Sequence, residues 1–213
     1  MAAFWYRKAL ANMLGGESGA EVRQTDYLTD TLKVMLSTSA YTLNLDTHEV
    51  KADVTNEVSG TGYTAGGVTI ATKTITVTAA NSWSPTWAAT TAYVAGDVVR
   101  PTSGNGKLYV AITSGTSAGS EPTWTTVLYD EQPADGTVTW SCIGSSVTVV
   151  DAADPSWGAG ATISSIRYAV LYNDTPTDKP LLWVNDFTSD QAVVNGTFTI
   201  QLPTTGFFHF FAP

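Results

Sequence analysis

Trp87, Tyr93, Tyr109, Trp124 and Trp140 fall in one stretch of a 213-residue chain and are its most chemically suggestive set. An aromatic ring on an exposed strand face can stack on the apolar C–H side of a sugar ring. The same rings could instead form the core of a small module, which needs large side chains. Trp87, Tyr93, Tyr109 and Trp124 are therefore candidate glycan contacts, with core packing as the alternative for each. Trp83 reads as a packing residue where this stretch joins its flanks.

Other residues offer less. Asp151 with Asp154, and Asp174 with Asp178, are carboxylate pairs in turn-like runs. Calcium takes several oxygen ligands, and neither run has the ligand density or glycine placement of a calcium loop. Turn capping is the expected role. His48 and His209 stand apart, with no Gly-x-Ser-x-Gly motif or zinc spacing around them. Gly60, Gly62, Gly66 and Gly67 lack the helix and closing Lys-Ser/Thr of a phosphate loop and read as turn residues. A glycosidase needs two opposed carboxylates in a cleft, which the sequence does not predict. No catalytic residue, metal ligand or cofactor is expected. Cys142 has no partner for an internal disulfide and no basic neighbour to activate it, so it reads as a small buried or half-buried side chain near Trp140.

Composition narrows the class. Hydrophobic residues make up 43% of the chain and charged residues 14%, which is a folding composition. Abundant threonine and aromatic residues suit a pleated surface. The net charge of −9 repels phosphate backbones and anionic lipid, so neither nucleic acid nor membrane is an expected partner. No run approaches the ~20 apolar residues that span a bilayer. Residues 4–14 are interrupted by Arg7 and Lys8 and do not read as a secretory signal. Synthesis in a cytoplasm is the expectation.

Periodicity predicts an all-β chain with one helix. Tyr6, Ala9, Leu10, Met13 and Leu14 form an apolar stripe at helical spacing, ended by Gly15-Gly16. Residues 31–36 alternate as a strand with Leu32, Val34 and Leu36 inward. Residues 68–78 read as one long strand, with the threonines on one face and Ile75 and Val77 on the other. Residues 166–172, 181–187 and 197–202 read as further strands, separated by turn chemistry at residues 173–178 and at Asn195-Gly196. Short strands at regular intervals predict a β-sandwich, jelly-roll-like.

The aromatic stretch, residues 83–145, reads as a small β module set into a host formed by residues 1–82 and 146–213. Insertion at one loop implies a surface loop on a scaffold. In the terminal run, Phe207, Phe208, Phe210 and Phe211 cannot all lie on one strand face. Together with Phe4 and Trp5 they are candidate interface residues, the alternative being a two-faced strand covered by the N-terminal helix.

The host resembles the head decoration (cement) proteins and related virion β-sandwiches of tailed bacteriophages. The resemblance rests on the Tyr6-Arg7-Lys8 helix, residues 29–36, residues 54–67, the run from Asp151 to Trp157, residues 166–172 and residues 195–200. It implies a virion location on the outer surface of the head, many copies as a homo-oligomer, and the major capsid protein, or a tail protein, as partner. The insert resembles small, often carbohydrate-binding β modules through Trp87, Tyr93, Gly96-Asp97-Val98-Val99, Leu108-Tyr109-Val110-Ala111 and Trp124. That resemblance implies cell-surface glycans as a further partner. The expectation is a non-enzymatic capsid decoration protein, with a tail or tail-fibre component as the alternative.

Overall fold

The computed structural model describes residues 2–14, 24–130, 132, 134–203 and 206–212. In chain order the strands are β1 (Ala2–Trp5), β2 (Leu32–Ser37), β3 (Gly60–Thr61), β4 (Val68–Thr69), β5 (Thr74–Ala79), β6 (Ala92–Tyr93), β7 (Val98–Val99), β8 (Leu108–Ala111), β9 (Gly115–Thr116), β10 (Trp140–Gly144), β11 (Ser146–Asp151), β12 (Ser156–Asn173), β13 (Leu181–Thr199) and β14 (Phe208–Ala212). Among the described residues one short α-helix, α1, spans Ala9–Met13. Among the described residues every pairing between these strands is antiparallel, and the fold is all-β, as the sequence predicts.

The chain divides into two compact units, Met1–Lys73 with Ala152–Pro203, and Thr74–Asp151 with Thr204–Pro213. The second unit is larger than the expected insert. It takes in β5, β11 and β14, which the sequence reading assigned to the host. The reason is pairing: β5 and β14 flank β11 in a three-stranded sheet of their own.

In the first unit the sheet order is β1-β13-β12-β2-β4, with β3 also on β12. β12 and β13 form one long hairpin. Near its turn the hairpin lies between β1 and β2, and every residue of Ala169–Asn173 and Leu181–Asn185 is buried. Farther out, from residue 188 to residue 199, exposed and half-buried positions intermingle. The register shifts repeatedly along β12, and bulges of this kind bend and twist a strand. β2 pairs with β12 along its length and with β4 at Lys33 and Val34, and Met35 is as buried as Leu32, Val34 and Leu36.

Two local expectations change. The helical stripe is not the buried one: Tyr6, Ala9 and Asn12 face inward, while Leu10 and Leu14 are exposed. β1 pairs with β13, and the Tyr6 amide donates to the Leu182 carbonyl, so the chain is anchored before the helix begins. The expected stop at Gly15-Gly16 lies outside the described residues. The long strand over 68–78 is broken at residues 70–73. Ile70 turns into the core, its amide donating to the Leu32 carbonyl, and Lys73 reaches the Asp30 carbonyl.

Buried polar groups in the first unit are joined in chains. The Tyr41 hydroxyl meets those of Tyr6 (3.2 Å) and His48 Nδ1 (2.7 Å). The Tyr63 hydroxyl donates to Glu57 at 2.7 Å and accepts from the Leu36 amide at 3.0 Å. Burial pushes the Tyr6, Tyr63 and Tyr172 phenols well above their ordinary range, so they stay neutral donors.

Candidate functional site

The aromatic stretch lies in the second unit, where β10, β8 and β7 form one sheet and β6 pairs with β9. Its core is Trp87, Tyr93, Val99, Tyr109, Ala111, Val138, Trp140 and Cys142. At its centre is Asp135, with no exposed surface. Asp135 Oδ2 accepts the indole N–H of Trp87 at 2.8 Å and of Trp140 at 2.7 Å, and Oδ1 accepts the Ala118 amide at 2.8 Å. Two buried indoles and a part-buried amide thus share one carboxylate, and a buried donor costs free energy if left unpaired. Gly136 follows in the left-handed region (φ 63°), where a Cβ would overlap the Thr116 carbonyl oxygen. The sequence reading took residues 135–140 as a closing strand and gave Asp135 no role of its own. The available clue was the pair of core tryptophans, whose N–H groups need an acceptor when buried.

This core takes up three of the four expected glycan contacts. Trp87, Tyr93 and Tyr109 are 6%, 8% and 0% exposed. The Tyr109 hydroxyl accepts from Asn105 at 2.6 Å and donates to the Thr125 carbonyl at 3.0 Å, while that of Tyr93 accepts the Ala88 amide at 2.8 Å. None of the three can lay an open ring face on a sugar. The correction follows from module size: a small β unit has few residues with which to fill its interior.

Trp124 differs. It is half-buried, with its ring against Tyr109 (centroids 4.3 Å apart) and edge-on to Trp140 at 5.8 Å. Its indole N–H donates to Glu121 at 2.8 Å. Glu121 also accepts the Thr102 amide at 2.9 Å and the Thr102 hydroxyl. Burial pushes the Glu121 carboxyl up, but the bonds from Thr102 and Trp124 outweigh it and hold the group below its ordinary value. Trp124, Glu121, Pro101, Asn105 and Pro122 line a cleft of about 310 Å³. An aromatic wall beside a fixed carboxylate and a carboxamide can take a polar ring with one apolar face.

A second cleft of about 490 Å³ is lined in part by Trp83, Tyr93, Asp97, His209 and Phe211. Here Trp83 meets His209 edge-on at 5.6 Å. Asp97 accepts the Val94 amide at 2.8 Å.

The terminal phenylalanines divide between the two faces of β14. Phe211 packs with Val147, Val149, Leu108 and Trp83. Phe208 and Phe210 lie on the other face, edge-to-face at 4.3 Å, opposite Val150 and Thr148 of β11. Beyond β11 that face continues to Ile75 and Val77 of β5, which are 44% and 69% exposed. Phe207, just before β14, is half-buried and its amide donates to the Val150 carbonyl. In the first unit, Phe4 of β1 is exposed and Trp5 half-buried.

The carboxylate pairs have structural partners. Asp174 holds both Lys33 and Lys179 at 2.6 Å, an ion pair where turn capping was expected. Asp154 accepts the Leu202 amide at 2.9 Å. Cys142 is a buried free thiol, and burial raises its pKa. Among the described residues no helix is long and apolar enough to cross a membrane. Compared with known proteins, the chain matches no family model, no curated protein and no solved structure.

Proposed function

We propose that this chain is a non-enzymatic structural protein of a tailed-phage virion, a decoration protein that binds the assembled head through the major capsid protein and stabilises it. The observation that carries this reading is the exposed apolar pair Ile75 and Val77 on β5, 44% and 69% exposed, in a chain of net charge −9. Exposed apolar patches are characteristic of protein–protein contact. The resemblance of the host segments to decoration proteins supplies the kind of partner. Binding selective for the assembled shell stabilises it by mass action. Mass spectrometry of purified virions tests the proposal: the chain should appear in many copies with the head fraction, and its absence from particles overturns the reading.

A second reading, a tail or fibre component that adheres to cell-surface glycans, is favoured by the Trp124 cleft. Glycan-array binding by the full chain, lost on Trp124→Ala, would support it. An array without binding would reduce Trp124 to a packing residue.

A further inference from the structure

β5 has one paired edge and one open edge. It pairs with β11, and among the described residues no strand pairs its other side. Its sequence is Thr-Ile-Thr-Val-Thr-Ala, and five of its six residues are exposed. Proteins usually blunt such an edge with a lysine, a proline, an inward charge or a bulge. β5 carries none of these. Its open row of amides and carbonyls can be satisfied by an extended strand, and its side chains restrict which strand fits.

We propose that β5 pairs antiparallel with β5 of a second copy of this chain about a twofold axis, joining two three-stranded sheets into one of six strands. The argument is self-complementarity. With Thr76 opposite its own copy, Ile75 falls opposite Val77 and Thr74 opposite Thr78, twice over by symmetry. One face of the junction is then a row of β-branched apolar pairs and the other a row of threonine pairs, both favourable across antiparallel strands. Charge points the same way. Two copies of a chain at −9 repel each other, but residues 74–79 contain no ionisable side chain, so the contact itself brings no like charges together. An acidic or basic partner strand would find no complementary charge there. The Ile75 and Val77 face would also run on into the same face of the second copy.

A strand edge alone buries less than the ~1,200 Å² of a standard interface, so the free dimer is weak and gains strength where many copies are held side by side. This inference does not depend on the virion reading, because it concerns the purified chain alone.

Cysteine trapping tests both the contact and its register. Facing Cα atoms in an antiparallel pair lie about 4.5–5.5 Å apart, within disulfide span. Cys142 is buried and does not compete. In the full-length protein under mild oxidation, Thr76→Cys should give disulfide-linked dimer at least about tenfold faster than Thr74→Cys, which the register sets opposite Thr78. Adding Val77→Lys to Thr76→Cys should remove that advantage, with the circular dichroism spectrum unchanged because Val77 is exposed. Equal trapping at positions 74 and 76, or trapping at 76 that ignores Val77→Lys, overturns the proposal. Failure of Thr76→Cys to dimerise, including because the edge serves a different protein, overturns it too. Absence of the chain from virions would leave this result standing, so the two readings fail separately.

Discussion

Asp135 and Glu121 are both carboxylates of the second unit that accept a tryptophan N–H, yet they do different work. Asp135 is sealed in the core, and its oxygens satisfy two indoles and an amide. Glu121 lies at the rim of a cleft and holds one half-buried indole and a threonine. The same bond type fixes the fold in one place and presents an aromatic ring in the other. What separates them is burial: Asp135 has no exposed surface, whereas Glu121 and the Trp124 ring it holds are half-buried and line a cleft.

Substitutions can break that contrast. Asp135→Ala should have the largest effect, since it strands two buried indole donors at about 1–3 kcal/mol each and a part-buried amide besides. Urea denaturation followed by tryptophan emission should show the second unit destabilised by at least about 3 kcal/mol; a loss below about 1 kcal/mol would mean that the core does not depend on this acceptor. Trp124→Ala should cost less, about 1–2 kcal/mol, because only part of the ring is buried against Tyr109 and Trp140. A cost equal to that at Asp135 would make Trp124 a core residue and erase the distinction.

Glu121→Gln is a finer probe. The folded Glu121 pKa is depressed, so the stability it brings is complete above its unfolded pKa and is lost as pH falls through the folded pKa. Stability measured from pH 7 down to pH 2 should therefore fall less steeply in the Gln variant, with the largest gap between the two at pH 7 and the curves converging toward pH 2. Parallel curves would show that Glu121 contributes nothing through its charge. The smallest effect is expected on the exposed face, where Val77→Lys should leave monomer stability within about 0.5 kcal/mol.

Much of the strand framework was legible. Leu32, Val34 and Leu36 are inward as their alternation predicts, and the hairpin turn falls in the polar run after Asn173. Periodicity did not distinguish a strand covered on both sides from one covered on neither. β2 and β5 have six residues each and both suit a strand, but β2 has two neighbours and is almost entirely buried while β5 has one and is mostly exposed. Neighbours are a property of topology, which alternation does not encode. The N-terminal stripe failed for a related reason: the pairing of β1, not helical amphipathicity, decided which side of the short helix faces inward. At the candidate site the residue types were legible and their roles were not. Four aromatics looked equivalent in sequence, and only the packing separates Trp124 from Trp87, Tyr93 and Tyr109.

The register of β5 against β11 has a consequence for how such a chain could be rebuilt. Ala79 lies opposite Ser146, so the polypeptide leaves the three-stranded sheet and returns to it at one point. Everything between them is a closed excursion, and the entropy of closing such a loop rises only with the logarithm of its length. An excursion of this kind can be exchanged for a longer or shorter one with little change in closure cost. What such an exchange must replace is the cover that Leu108, Val98, Ile143 and Trp83 provide over Val147 and Phe211. A substitute cassette would need that one apolar footprint, and the rest of its surface would be free to vary.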